Sequence, residues 1–242
     1  MASDARPWFI PQSNLTARLS DQERRTFLKV CPAKTFSKDD TLFHEGDSAE
    51  ELHVIAEGRV KLVRLTPDGR ERILAILGPD DIVGEAFLHD EAYYRADAVA
   101  LGKVVTCPMS RAQFKQLNLQ SPGFTLAFAE TLADGLFRCR DQLAGSYAPI
   151  KVRVAEVLLD QARRFGGRVD GDPDWTDLET ELRHEEIASL VSATRVSVST
   201  AVAELRHHGL LTGTRGRYRL HMPALEAFTV EDRDAEDDLI EP

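Results

Sequence analysis

The sequence predicts an α+β chain: an N-terminal antiparallel β-roll of jelly-roll type, one long helix, and a C-terminal winged helix-turn-helix. Short apolar runs between residues 31 and 107 are separated every few residues by turn signals. An apolar stripe of helical period crosses residues 122–144, and a paired-helix pattern at 185–201 is followed by a glycine-centred hairpin at 210–220. With 242 residues, 43% hydrophobic and 29% charged, the chain is long enough for two ordinary domains with their own cores.

Residues 1–19 form an N-terminal extension. Its first twelve residues carry Asp4, Arg6 and two prolines where a signal peptide needs an apolar core, and nowhere does an apolar run approach the roughly 18 residues of a membrane span. These features predict a cytoplasmic protein with no membrane partner. Ser20-Asp21-Gln22-Glu23 is a capping box that opens a helix over 20–30.

Strand-like runs follow at Leu42-Phe43, Leu52 to Ala56, Val60 to Leu65, Ile73 to Leu77, Ile82-Val83, Ala98 to Leu101 and Val104-Val105. Between them stand Glu45-Gly46-Asp47, Glu57-Gly58, Pro67-Asp68-Gly69, Gly78-Pro79-Asp80 and Leu101-Gly102. Strands of this length and spacing fold as an antiparallel barrel or double-sheet roll, placed at residues 20–121.

Residues 122–148 form a helix and hinge. Phe128, Leu132, Leu136, Cys139 and Leu143 share one stripe, with Glu130, Asp134 and Asp141 opposite, and Gly145 to Pro149 breaks the pattern. Such a stripe packs either on its own roll or on the same helix of a second copy. Residues 149–223 contain a helix from Ile150 to Phe165, a Gly/Asp-rich loop from Gly166 to Asp177, two short helices and a hairpin. The acidic tail, 224–242, holds eight acids and one base, a net of −7 out of the chain's −10, and reads as a solvated, disordered end.

In the segment Glu185 to Ala201, Ile187, Val191, Ala193, Val198 and Ala201 are the inward positions of a helix pair, Ala188 permits close crossing, and Ser192 occupies the turn. Glycine is usual there; serine in a left-handed turn costs about 1 kcal/mol. Thr194 caps the second helix, which puts Arg195, Val196 and Ser199 at the end that faces base edges in a major groove. Arg195 is the candidate reader of guanine O6 and N7, and Val196 of a thymine methyl, with Ser197, Ser199 and Thr200 on phosphate or sugar. The hairpin fits a wing with Arg215 and Arg217 near its tip. Residues 187–221 hold five arginines and one acid, Glu204, a net of +4 within an acidic chain.

Together with Gly46-Asp47, Glu57-Gly58, Gly84-Glu85, Arg95 ten residues after that glutamate, and Arg153-Val154-Ala155, these features resemble the CRP/FNR family of bacterial transcription regulators over residues 20–225. The resemblance implies a homodimer across the long helix, bound to a palindromic DNA site and contacting RNA polymerase. It also implies an effector site for cyclic AMP or another cyclic nucleotide, with Glu85 on the ribose hydroxyl and Arg95 on the cyclic phosphate. This sequence departs from the pattern: Ala96 replaces a phosphate-binding serine, Arg138-Cys139 replace paired hydroxyl residues of the long helix, and Val196 replaces a glutamate. Three readings of the Gly84-to-Arg95 segment stay open: an internal Glu85–Arg95 ion pair in an effector-independent regulator, a cyclic nucleotide site, or a different anion held by Arg95 and Arg138.

No catalytic motif is present, neither G-x-x-x-x-G-K-[ST], G-x-G-x-x-G after a strand, G-x-S-x-G nor H-E-x-x-H, and an enzyme is not expected. His44, His53 and His89 lack the spacing of a metal site, and only Cys31 precedes the roll, so neither a metal nor an iron–sulfur cluster is predicted. Cys31, Cys107 and Cys139 are read as three separate thiols. The alternative function is a cyclic-nucleotide-binding interaction module without DNA binding.

Overall fold

The computed structural model describes residues 14–90, 92–178, 182–214 and 216–237. The first thirteen residues, Arg215 and the last five residues of the acidic tail lie outside them. Internal contacts divide the chain into residues 1–140 and 141–242. No helix among the described residues is long and apolar enough to cross a membrane.

The first unit opens with α1 (Asn14–Ala17) and α2 (Asp21–Val30). The Ser20 hydroxyl accepts the Glu23 N–H, and the Glu23 carboxylate takes the Ser20 N–H in return, so two otherwise orphaned donors are satisfied. Eight strands follow: β1 (Lys34–Phe36), β2 (Thr41–Phe43), β3 (Glu51–Glu57), β4 (Val60–Leu65), β5 (Glu71–Leu77), β6 (Ile82–Val83), β7 (Asp97–Ala100) and β8 (Val104–Ser110). They pair antiparallel in two four-stranded sheets, β1-β8-β3-β6 and β2-β7-β4-β5, the predicted α+β roll. The reversal from β3 to β4 rests on Gly58, whose φ is +81°. A Cβ there would run into the Lys103 carbonyl oxygen, so the Glu57-Gly58 turn signal marks a place where only glycine fits.

Two elements of this unit were not legible as periodicity. Strand β1 is three residues long, below what an alternating pattern can reveal. Helix α3 (Arg111–Gln120) follows directly on β8, although Ser110 and Gln113 form a second capping box that marks its start.

Helix α4 spans Pro122–Ala144. Its Phe124 and Phe128 join Phe27 of α2, Phe114 of α3 and Phe87 in one aromatic cluster, with ring centroids 4.9–5.9 Å apart. Fully buried Leu52, Ile55 and Met109 continue this core into the roll, and each such side chain contributes about 1.5–3 kcal/mol. The predicted stripe therefore divides: Phe128 is buried and Leu132 partly so, whereas Leu136, Cys139 and Leu143 are exposed.

Cys31 and Cys107 are joined by a disulfide with Cα atoms 5.3 Å apart, correcting the expectation of three separate thiols. They are 76 residues apart. The β1–β8 ladder and the Gln113 amide, which donates to the Val30 carbonyl, bring the end of α2 to the middle of β8. Cys139 is a free, exposed thiol.

The second unit contains α5 (Ile150–Phe165), β9 (Gly166–Val169), β10 (Asp172–Leu178), α6 (His184–Leu190), α7 (Arg195–His207), β11 (Leu211–Thr214), β12 (Arg217–His221) and α8 (Met222–Asp237). Val152, Val154, Ala155, Leu158 and Leu159 of α5 are buried with Ile187 of α6 and Val198, Val202 and Leu205 of α7.

Two expectations are overturned here. The segment read as a Gly/Asp-rich loop, 166–177, is an antiparallel hairpin whose β10 pairs with β12, giving a four-stranded sheet, β11-β12-β10-β9. Its composition hides this because the strand is held by its ladder, by Trp175 against His221 and by Asp177 against Arg219, not by apolar alternation. The start of the tail is also not a disordered end. Within α8, Leu225 is fully buried, Glu226 pairs with Arg163 at 2.8 Å, and the Lys151 ammonium lies 5.7 Å from the Phe228 ring centroid.

Candidate nucleic-acid interface and effector cavity

Helices α6 and α7 cross over small and apolar residues. Ile187, Ala188, Val191, Val198 and Ala201 are buried, and Ala193 is half-buried. Arg153 of α5 braces the turn between them by donating to the Val191 carbonyl. Ser192 adopts φ +52°, the left-handed conformation anticipated for that position. Replacing it with glycine is expected to stabilise the fold by up to about 1 kcal/mol, which a thermal unfolding comparison would detect as a raised Tm.

Thr194 is the N-cap of α7, its hydroxyl oxygen accepting the Ser197 N–H at 3.1 Å. That cap fixes the first turn, on which Arg195 and Val196 stand exposed, Val196 at 75%. An apolar side chain so uncovered has no role in the core. The three hydroxyls assigned to the DNA backbone are engaged within the head. Ser197 bonds to Thr194, Ser199 donates to the Arg195 carbonyl and bonds His184 at 2.8 Å, and Thr200 donates to the Val196 carbonyl. A phosphate oxygen needs a donor, so Ser199 and Thr200 must release these i−4 bonds to serve it.

The wing is the β11–β12 hairpin, which pairs Thr214 with Arg217. Arg206 of α7 donates to the Gly213 carbonyl at 2.9 Å and ties the wing to the helix. Arg217 is exposed on β12.

The segment's charge of +4 overstates its attraction for phosphate. Arg219 is held bidentately by Asp177 at 2.8 and 3.1 Å, which keeps the Asp177 carboxyl below its usual range, and Arg195 Nε lies 2.8 Å from Glu185 Oε1. Both carboxylates lie outside the counted segment. Glu185 stands ten residues before Arg195, at the start of the first helix of the pair, and only the crossing of α6 and α7 brings the two together.

In the roll, Gly84, Glu85, Arg95 and Ala96 line one cavity of about 910 Å3, with Phe43, Arg64 and Tyr93 among its other walls. Gly84 has φ +90°, and a side chain there would press on the Glu51 carbonyl and the Tyr94 ring. Arg64 is occupied by Glu45 at 2.9 Å. Neither Glu85 nor Arg95 has an ion-pair or side-chain hydrogen-bond partner among the described residues, so the internal Glu85–Arg95 pair does not form.

Arg138 and Cys139 are not among the cavity's walls. Arg138 is held by Asp81 at 2.9 Å, and Asp81 also accepts the Gly78 N–H, so this arginine fastens α4 to the turn between β5 and β6. The reading of Arg95 and Arg138 as joint holders of one anion is corrected accordingly. Tyr94 is likewise structural: it stacks on Phe43 at 3.7 Å and donates to the Glu51 carbonyl, and burial raises its hydroxyl pKa. Tyr93, 61% exposed, remains at the mouth. Among the described residues no group of three or more His, Cys, Asp or Glu side chains is placed to hold a metal ion.

Comparison with known proteins matches both units. A model of the cyclic nucleotide-binding domain matches residues 33–121, and one of the Crp-like helix-turn-helix domain matches 152–228. The chain is 34% identical over 175 residues to the CRP-like cAMP-activated global transcriptional regulator of Mycobacterium tuberculosis, covering 72% of this chain and 77% of that one. It is 28% identical over 208 residues to the cyclic AMP receptor protein of Thermus thermophilus, covering 86% and 92%. The solved structure of a CooA mutant from Carboxydothermus hydrogenoformans has a TM-score of 0.71 at 25% identity, covering 92% of this chain and 99% of that one.

Proposed function

This chain belongs to the CRP/FNR family of DNA-binding transcription regulators, and from that premise we propose that it acts as a homodimer on a palindromic promoter site, contacts RNA polymerase there, and is controlled by cyclic AMP or another cyclic nucleotide. The proposed division of labour is a roll over 20–121, a dimerisation helix and hinge over 122–148, and a DNA-binding domain over 149–223.

The observation that carries the DNA reading is the capped first turn of α7, which presents Arg195 and Val196 uncovered beside a wing tethered by Arg206. In this reading Arg195 reads guanine and Val196 a thymine methyl, while Thr194, Ser197, Ser199, Thr200, Arg215 and Arg217 serve the backbone. Two such helices about 34 Å apart enter successive major grooves on one face of the duplex. The exposed apolar residues of α4, Leu136, Phe137 and Leu143, support a second copy as the cover of that face.

The effector reading rests on a guanidinium and a carboxylate, neither paired among the described residues, in one cavity of ligand size. Arg95 would hold the cyclic phosphate and Glu85 the ribose hydroxyl; Ala96 offers only its backbone. The names of the M. tuberculosis and T. thermophilus relatives favour cyclic AMP.

A gel-shift titration at two salt concentrations, with and without cyclic AMP, tests the proposal. Binding that prefers one sequence and weakens steeply with salt is expected, and its absence at low salt in both arms would overturn the regulator reading. Arg195→Ala should relax preference at one base pair per half-site, by about 1–3 kcal/mol. A uniform loss over all sequences would remove Arg195 from the role of reader.

A further inference from the structure

The contact between Arg195 and Glu185 joins the first turn of α7 to the first turn of α6 through one nitrogen, Nε. Both side chains are largely exposed, so the pair faces the solvent that a duplex would displace. An arginine meets guanine O6 and N7 in one of two ways: edge-on through Nε and one terminal nitrogen, or end-on through both terminal nitrogens. With a carboxylate oxygen paired 2.8 Å from Nε, that edge of the guanidinium is occupied, and the end-on fork is the one left open.

We infer that Glu185 is a specificity-determining positioning residue, which holds Arg195 by Nε so that its two terminal nitrogens are presented end-on to one guanine in each half-site. The inference deepens the DNA-binding reading and rests on it. No other ion pair of Arg195 or Glu185 occurs among the described residues, and the neighbouring Val196 carries no acceptor, so the carboxylate that orients the reader comes from the other helix of the pair. Placing a negative charge near phosphates lowers affinity for every sequence, because like charges repel. A residue that weakens binding in general while sharpening it at one base pair gives a signature that a merely structural ion pair does not.

The test uses the full-length protein and a duplex site selected from a randomised pool. Affinities are measured at fixed salt for that site, for versions with each base pair of the half-site replaced in turn, and for an unrelated duplex. For Glu185→Ala, discrimination at the base pair read by Arg195 should fall by roughly tenfold, with the other positions unchanged and binding to the unrelated duplex tightened. Glu185→Gln keeps a neutral acceptor for Nε and should restore much of the discrimination while keeping the tighter unrelated binding. In Arg195→Ala, adding Glu185→Ala should bring no further loss at that position.

Equal changes on every duplex, or additive losses in the double variant, would overturn the inference and leave the regulator reading intact. Absence of any sequence preference in the unaltered protein would overturn both. Glu185→Gln also guards against a folding artefact, since its thermal unfolding should match that of the unaltered chain.

Discussion

Arg95→Ala is expected to cost about 3 kcal/mol of cyclic AMP affinity, roughly a hundredfold, in calorimetric titration of the purified protein. The magnitude follows from what would remain in the cavity. Arg64 is already neutralised by Glu45, and Glu85 and Asp90 are also walls. Without Arg95 a cyclic phosphate would face carboxylates with no free guanidinium to offset them, and it would lose a charge-assisted bond with two parallel donors. Arg95→Lys should recover part of the affinity, because an ammonium restores the charge but not the planar fork. Unchanged binding by Arg95→Ala would place the nucleotide elsewhere in the molecule.

The second large effect concerns acid stability. His53 is buried between Phe36 and Phe43, its Nδ1 is 3.1 Å from the Thr106 hydroxyl, and burial, aided by Lys34, lowers its pKa from 6.5 to about 4. The folded ring stays neutral to about pH 4, whereas in the unfolded chain it takes up a proton below 6.5. Over that window the unfolded state binds more protons, so stability falls as the pH falls. The contribution is fully retained above pH 6.5 and about 3 kcal/mol is lost by pH 4. Denaturant unfolding from pH 7.5 to 4 on the native chain and on His53→Asn would measure it. The variant should be less stable at neutral pH but show a flatter dependence, and an unchanged slope would remove His53 as the source.

The two predictions draw on different levels of information. Arg95 was identifiable in the sequence because Gly84-Glu85 and the arginine ten residues on form a local pattern, and the roll folds that pattern onto one wall. The depressed pKa of His53 was not identifiable. A histidine in an apolar run reads the same whether its ring faces solvent or core, and β3 buries residues on both faces from Leu52 to Ala56.

Of the DNA-binding head, the capping threonine, the left-handed Ser192 and the exposed Arg195 and Val196 were all legible, since each depends on residues within one or two helical turns. What holds Arg195 was not. Glu185 reaches it only across the crossing of two helices, just as Asp177 reaches Arg219 only across a strand pair that composition did not announce.

The sequence by itself determined which segments are strands or helices wherever an apolar period lasted long enough to register, and where the turns and caps must fall, because those choices are settled by backbone sterics and near neighbours. Only the tertiary structure decided that Arg138 fastens α4 to Asp81 instead of lining the cavity, that Cys31 meets Cys107, that β9 and β10 extend the wing's sheet, and that the acidic tail begins as the packed helix α8. Each of these is a pairing between residues distant in the chain. Its partner is chosen by which surfaces the buried faces bring together, and one-dimensional periodicity carries no record of that choice.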